Sequence, residues 1–207
     1  MRAISTSLIF SLLIGPSVAD DCTKMLAGDG SLVGKAREIK DGTAAPVEIQ
    51  IVRGDHPTFI YDKIGQKYRQ TSQYEGDRIV STVVQNNFYT LHYAFAVAVD
   101  DGDMASMKDG DVSHYRQSTM VNNLPIALQV SKVSRVVLGH ASRNVSGCDF
   151  EIVRVQRDFV PLLPGAWSTV TTDFAPSLGV PLHVVRVIHR SGKEFTFEVT
   201  VDAIAPQ

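Results

Sequence analysis

The chain has 207 residues, a formal net charge of −2 at neutral pH, and no block of Lys or Arg. A slightly acidic chain without a basic block is not typical of proteins that bind nucleic acid or anionic membrane surfaces, so we expect neither as the main partner. The length suits one domain of ordinary size with a hydrophobic core of its own.

The start of the chain has the pattern of a secretory signal peptide. A weakly basic segment is followed by the apolar run 8–14, and small residues precede the expected cleavage site after Ala19. The apolar run is shorter than the roughly 20 residues of a spanning helix, and no later uncharged segment reaches that length. Cys22 follows two aspartates rather than a small residue, so lipid attachment is not expected there. We predict a periplasmic protein with residues 1–19 as signal peptide, residues 20–207 as one exported domain, and no transmembrane segment.

The chain has two cysteines, Cys22 and Cys148. Two cysteines in an exported chain most often pair, because that compartment is oxidising. Their disulfide would close a loop on the order of a hundred residues, which the chain-entropy model values at about 4 to 5 kcal/mol. We predict this disulfide, with two free thiols or intermolecular bridges as the alternatives.

Runs of β-forming residues, some with period-two alternation, predict a series of strands between turn signals. The predicted strands cover residues 47–51, 58–61, 66–70, 78–85, 88–99, 150–155, 167–172, 182–188 and 194–202. The lead-in from Cys22 to Lys40 is interrupted by glycines, which favours a helical turn or irregular structure. Residues 125–139 fit either a helix or a strand, and we favour a helix before about Val130 and a strand after it.

Short strands at fairly even spacing predict a mainly β fold, a single antiparallel curved sheet, half-barrel or barrel-like domain with a minor helix. An outer-membrane barrel is not expected, because Arg154 and Arg186 fall among the apolar positions of two strands.

The segment Asp173-Phe-Ala-Pro-Ser-Leu-Gly-Val-Pro181 is followed by a strand, by Ser191-Gly-Lys193 and by a second strand. This Pro-x-Leu-Gly hairpin pattern resembles bacterial periplasmic curved-sheet proteins, a loose group of lipoprotein carriers, anti-sigma regulators and related exported families. The resemblance covers roughly Gly147 to Ala205. It implies a half-barrel wrapped around a helix or around a hydrophobic cleft.

Two predicted strands carry aromatic side chains on one face. Tyr89, Tyr93 and Phe95 belong to the first strand, and Phe195 and Phe197 belong to the second. Such side chains either fill a core or line a cleft for an apolar ligand. We take these five residues as candidates for ligand binding.

No catalytic residues, metal site or cofactor is predicted. The acidic segment Asp100–Asp111 lacks the ligand spacing of a calcium loop and is better explained as hairpin turns. The six histidines show no spacing that would place two of them on one metal ion. Ser146-Gly-Cys148 is similar to the Ser-His-Gly-Cys signature of L,D-transpeptidases but lacks its histidine, and the disulfide is the better interpretation of Cys148.

We therefore expect a non-catalytic periplasmic binding or envelope-maintenance protein. Its partner would be an apolar ligand, a lipid or lipoprotein, or an envelope protein. The alternative is a cell-envelope hydrolase or cell-wall enzyme with an active site that no motif reveals. An apolar cleft would favour the first hypothesis, and converging polar groups with shifted pKa values would favour the second.

Overall fold

The computed structural model describes residues 18–27, 30–97, 108–122, 124–163 and 165–207. The predicted signal peptide falls mostly on residues 1–17, and the predicted turn Asp100–Asp103 also lies outside the described residues. Cleavage after Ala19 therefore stays a prediction. No described helix is both long and apolar enough to cross a membrane.

In the described part of the chain, one short helix is followed by twelve strands that form a closed barrel. The elements are α1 (Val18–Leu26), β1 (Ser31–Lys40), β2 (Thr43–Val52), β3 (Thr58–Lys63), β4 (Arg69–Glu75), β5 (Arg78–Gln85), β6 (Thr90–Val97), β7 (Val112–Val121), β8 (Leu124–Val145), β9 (Cys148–Pro161), β10 (Trp167–Ala175), β11 (Val180–Arg190) and β12 (Lys193–Pro206). Each strand pairs antiparallel with its neighbours in sequence, and β1 pairs with β12. The predicted mainly β, barrel-like fold with a minor helix is confirmed. The curved sheet that the resemblance implied closes completely.

Strand predictions succeeded where β-forming residues are concentrated or alternate with polar residues. Strand β5 has the predicted bounds, and β12 extends the predicted 194–202 in both directions. The prediction for the lead-in is wrong over residues 31–40, which form β1. Leu32 and Ala36 are buried there, and burial of this face outweighs the weak strand preference of the intervening glycine, Gly34.

The prediction of a helix before Val130 is also wrong, because residues 124–130 belong to the long strand β8. Strand β8 pairs with β7 on one side and with β9 on the other. Within residues 124–130 the partner strand is β7, since the pairing of β8 with β9 begins at Ser131. Pairing with β7 therefore decides a segment whose local pattern fits either structure.

The antiparallel order places successive turns at alternate ends of the barrel. The turns β1–β2, β3–β4, β5–β6, β7–β8, β9–β10 and β11–β12 lie at one end, which we call the hairpin end. The other turns, helix α1 and the last residues of β12 lie at the opposite end, which we call the capped end.

The β8–β9 hairpin and helix α1 close the capped end. Residues 148–152 of β9 extend past the end of β10, and a register shift at Gly139 interrupts the regular pairing of β8. The turn of this hairpin reaches β12, where the backbone N–H of Ile204 donates to Ser146 Oγ at 2.9 Å. The hairpin thus folds over the end of the barrel rather than extending away from it.

The disulfide Cys22–Cys148 joins α1 to this hairpin, which confirms the predicted pair. Cys148 is buried in the main hydrophobic cluster together with Met25 of α1, Phe150 of β9 and Leu32 of β1. A smaller buried cluster contains Val137, Val153, Val155 and Phe174. The disulfide therefore fastens the helix onto the main buried cluster.

Candidate functional site

Burial identifies the face of each strand that points into the barrel. In β2, Val47, Ile49 and Ile51 are buried, whereas Glu48 between them is exposed. Residues paired directly across neighbouring strands share a face, and alternate residues along a strand do so as well. The interior face can therefore be followed from strand to strand through the register, for example from Val47 through Ala36 to Val201.

One row of residues paired across β12, β11, β10, β9 and β8 lies on this interior face and contains three arginines. Phe197 pairs with Arg186 of β11, which pairs with Val170 of β10. Val170 pairs with Arg157 of β9, which pairs with Arg135 of β8. The signal in the sequence was an arginine amid the apolar residues of a strand, but only the register shows that these arginines share one wall.

Two of these arginines share a carboxylate. Asp77, in the β4–β5 turn, contacts the Arg157 guanidinium and lies 3.4 Å from Arg135 Nε. Arg157 Nη2 also donates to the backbone carbonyl of Asp77 at 3.0 Å. All three side chains are buried. Burial lowers the pKa of Arg157 to about 10, so its guanidinium remains protonated at neutral pH.

Arg186 differs from the other two arginines. Its guanidinium forms no hydrogen bond or ion pair with another described residue, and its cross-strand neighbours on the interior face are Val170 and Phe197. Burial lowers the pKa of Arg186, yet the residue remains exposed to solvent. Both facts are expected of a side chain that the barrel wall surrounds and that water still reaches. A surrounded charge without a counterion is costly, so this cation favours an anionic ligand.

Four of the five aromatic candidates lie on the interior face. Phe195 and Phe197 share the face of Arg186 along β12; Phe197 is half-buried, and Phe195 is 43% exposed. The register from Ile51 through β3, β4 and β5 reaches Tyr93, and both Tyr93 and Phe95 are half-buried.

Strands β6 and β12 are six positions apart in the closed order, so these aromatic pairs line opposite walls of the barrel. Tyr89 lies in the β5–β6 turn at the hairpin end and is 49% exposed. The aromatic candidates thus lie on two opposite walls of the interior and in one hairpin-end turn, and whether they bind a ligand stays a prediction.

A recess of about 580 Å³ opens at the hairpin end between the β3–β4 and β5–β6 turns. Its lining includes Lys67, Tyr68 and Phe88. Deeper on the interior face, Lys63 Nζ lies 2.7 Å from a Glu38 carboxylate oxygen, and Glu38 also accepts a hydrogen bond from the Tyr61 hydroxyl. The charges of Lys63 and Glu38 therefore neutralise each other, whereas Arg186 has no ion-pair partner among the described residues.

A second polar cluster lies on the face of the sheet opposite to Thr172 and Phe174. Its centre is the buried carboxylate of Asp173. Arg154 Nε and Arg143 Nη1 donate to this carboxylate at 2.6 and 3.0 Å. His183 Nδ1 lies 3.6 Å from Asp173, and His183 Nε2 lies 3.1 Å from Glu198.

The pKa values in this cluster shift in the directions of an ion-pair network, and Asp173 also raises the pKa of Arg154. Burial would raise the pKa of Asp173, but its interactions with His183 and Arg154 outweigh burial and hold that pKa well below its usual range. Asp173 in turn raises the pKa of His183, against an opposing effect of burial. Both ring nitrogens of His183 face carboxylates, and no described hydroxyl or thiol bonds to the ring. Among the described residues, no side-chain nucleophile therefore lies beside the ring.

The described part of the acidic segment, just before β7, is held by a hydrogen bond within the segment and by a contact with β8. The Asp111 carboxylate accepts from the backbone N–H of Lys108 at 2.8 Å, and Asp109 lies 2.6 Å from His140 Nδ1. Among the described residues, no group of three His, Cys, Asp or Glu side chains could hold a metal ion.

No protein-family model matches the chain. No curated protein matches it either. Among solved structures, the chain is similar to the crystal structure of the hypothetical lipoprotein YmcC from Escherichia coli K12, with a TM-score of 0.48 and 14% sequence identity over 90% of each chain.

Proposed function

We propose that this chain is a non-catalytic binding protein of the periplasm, and that its ligand is an anionic amphiphile. The ligand would enter the barrel at the hairpin end, with its apolar part against the interior aromatic residues and its carboxylate or phosphate group on Arg186. The observation that carries the proposal is the position of Arg186, a cation on the interior face without a counterion among the described residues.

The charges of the interior support an anionic group rather than a neutral one. The Asp77 carboxylate is engaged by Arg135 and Arg157, and Glu38 is engaged by Lys63. A guanidinium binds a carboxylate or phosphate through two parallel hydrogen bonds, which suits a ligand with one such group.

The depth of Arg186 supports a ligand that also has an apolar part. Arg190, at the hairpin end, lies four positions further along β11, a distance of about 13 Å at the rise of a strand. A group bound to Arg186 would thus be connected to the outside past Ile188 and Phe195, which pair across β11 and β12 on the interior face.

The enzyme alternative has less support. The strongest polar cluster outside the barrel interior is centred on Asp173, and its histidine is held between two carboxylates rather than beside a nucleophile. An ion-pair network on the barrel wall accounts for the same geometry.

A fluorescent fatty acid, dansyl-undecanoate, tests the proposal by titration, with its uncharged methyl ester as the matched ligand. Replacement of Arg186 by glutamine should weaken binding of the acid by about 10- to 100-fold, because hydrogen bonds to charged groups contribute about 1.5 to 3 kcal/mol. Binding of the ester should change little. Arg116→Gln, which alters an exposed arginine on the outer face of β7, is the control and should bind both ligands as the wild type does.

Three results would contradict the proposal. The wild-type protein could fail to bind either ligand, Arg186→Gln could weaken acid and ester equally, or Arg116→Gln could weaken the acid as much as Arg186→Gln does. Mass spectrometry of gently purified protein gives an independent check, since a bound amphiphile should accompany the wild type and be depleted from Arg186→Gln.

A further inference from the structure

Exposed apolar side chains concentrate at the hairpin end. Six of them, which we call the apolar rim, lie in or directly beside three of its turns: Ile64, Phe88, Tyr89, Leu162, Leu163 and Trp167. Phe88 is 92% exposed, so its ring contributes almost nothing to the packing of the folded chain. Because the β3–β4, β5–β6 and β9–β10 turns lie at separate positions around the barrel, the apolar rim partly encircles the opening rather than forming one flank.

Four cationic side chains accompany the apolar rim. Lys40, Lys67, Arg190 and Lys193 lie in or directly beside the hairpin-end turns, and none of them forms an ion pair with another described residue. Asp41 is the acidic residue within these turns, and its carboxylate accepts a hydrogen bond from the backbone N–H of Thr196 at 3.2 Å.

The other charges near this end include an ion pair in which Arg69 Nε lies 2.8 Å from Asp62. Glu194, 3.0 Å from His189 Nδ1, is a further acidic residue, so the four cations face the two carboxylates of Asp41 and Glu194. The hairpin end therefore has a positive excess, although the whole chain is slightly acidic.

We propose that the hairpin end docks onto an anionic lipid surface. The apolar rim would enter the boundary between headgroups and acyl chains, where aromatic side chains are favoured. The lysines and Arg190 would meet the lipid phosphates, each contributing through the negative surface potential. Charge complementarity selects this occupant, because four unpaired cations lie at the same end of the barrel as the apolar rim and outnumber the unpaired carboxylates there. Docking does not rest on the proposed ligand, since no rim or cationic residue is needed to hold an anion at Arg186.

Vesicle flotation with the full mature chain tests the docking. Wild-type protein should float with vesicles of phosphatidylcholine and phosphatidylglycerol, float poorly with phosphatidylcholine alone, and lose binding at high salt. Phe88→Ser should weaken partitioning by about tenfold, from the apolar area that no longer leaves water. Lys67→Gln should weaken it by about fivefold, the effect of one surface charge.

Matched controls separate the hairpin end from the protein surface in general. Val112→Ser changes a valine that is 55% exposed at the capped end, and Lys35→Gln changes an exposed lysine on the outer face of β1. Both should float as the wild type does. Phe88 and Val112 are each more than half exposed, so neither substitution should alter the melting temperature appreciably.

The docking proposal fails if wild-type protein ignores phosphatidylglycerol, or if the control variants lose partitioning as much as Phe88→Ser and Lys67→Gln. It also fails if sedimentation equilibrium shows a dimer that Phe88→Ser dissociates while vesicles remain unbound, because the apolar rim would then be an interface between copies. Binding of dansyl-undecanoate by Phe88→Ser is measured in parallel, so that failure of docking and failure of ligand binding can be told apart.

Discussion

Replacing Cys22 and Cys148 together with alanine should destabilise the protein strongly while leaving the barrel folded. The disulfide links residues 126 positions apart, and a loop of that length corresponds to about 5 kcal/mol of stabilisation in the chain-entropy model. For a domain of this size, each kcal/mol shifts the melting temperature by about 2 to 4 °C, so a decrease of about 10 to 20 °C is expected. Alanine is preferred to serine because Cys148 is buried among apolar side chains and a hydroxyl there would add a separate cost.

Differential scanning calorimetry of the oxidised wild type, the reduced wild type and the double alanine variant provides the measurement. The reduced wild type and the variant should melt at similar temperatures, since both lack the same constraint on the unfolded chain. Far-ultraviolet circular dichroism below the transition should show an unchanged β spectrum for all three. If both melt within about 3 °C of the oxidised protein, less than about 1.5 kcal/mol is involved and the loop-entropy reasoning is refuted.

From the position of the disulfide, we expect its loss to lower stability without changing either binding activity. Because Cys148 lies at the capped end, the double variant should bind vesicles and dansyl-undecanoate as the wild type does at temperatures below its transition. Loss of either binding by the folded variant would mean that the two ends of the barrel are coupled.

Two further predictions concern buried charges. Asp77→Asn removes the carboxylate that Arg135 and Arg157 share and should lower the free energy of unfolding by about 3 to 5 kcal/mol in urea denaturation; wild-type stability in this variant would show that the interior tolerates the excess charge. Because the pKa of His183 is raised in the folded state above its ordinary 6.5, its stabilising contribution is complete below that value and is lost as the pH rises through the folded pKa. The melting temperature of the wild type relative to His183→Gln should therefore fall over that interval, and an equal pH dependence of the two proteins would contradict the ion pair with Asp173.

The strand pattern of the sequence was informative where β-forming residues are concentrated, as in β5, or alternate with polar residues, as in β12. It failed for β1, where glycine weakens the local preference, and for the first residues of β8, where pairing with β7 decides the structure. Closure of the sheet could not be read from any segment, because it depends on the pairing of β1 with β12.

The candidate site was only partly predictable for the same reason. The cysteine pair followed from the cysteine count and the predicted export of the chain, and the aromatic face of β12 followed from alternation. Arg186 was visible as a charge within an apolar strand, but its interior position depends on the register with Val170 and Phe197. The positive hairpin end was hidden by the net charge of the whole chain, which averages the two ends of the barrel.

The seam between β1 and β12 has a consequence for how the chain folds. Arg37 and Asp202, 165 residues apart, form a two-pronged ion pair across it, with Nε and Nη2 of Arg37 2.8 and 2.9 Å from the carboxylate oxygens. Until this seam forms, β1 and β12 each present an unpaired edge that another chain could join, and such distant pairing is slow. Oxidation of Cys22 and Cys148 before closure would hold the start of β1 beside the β8–β9 hairpin, so that only β10, β11 and β12 remain to be added before both edges are covered.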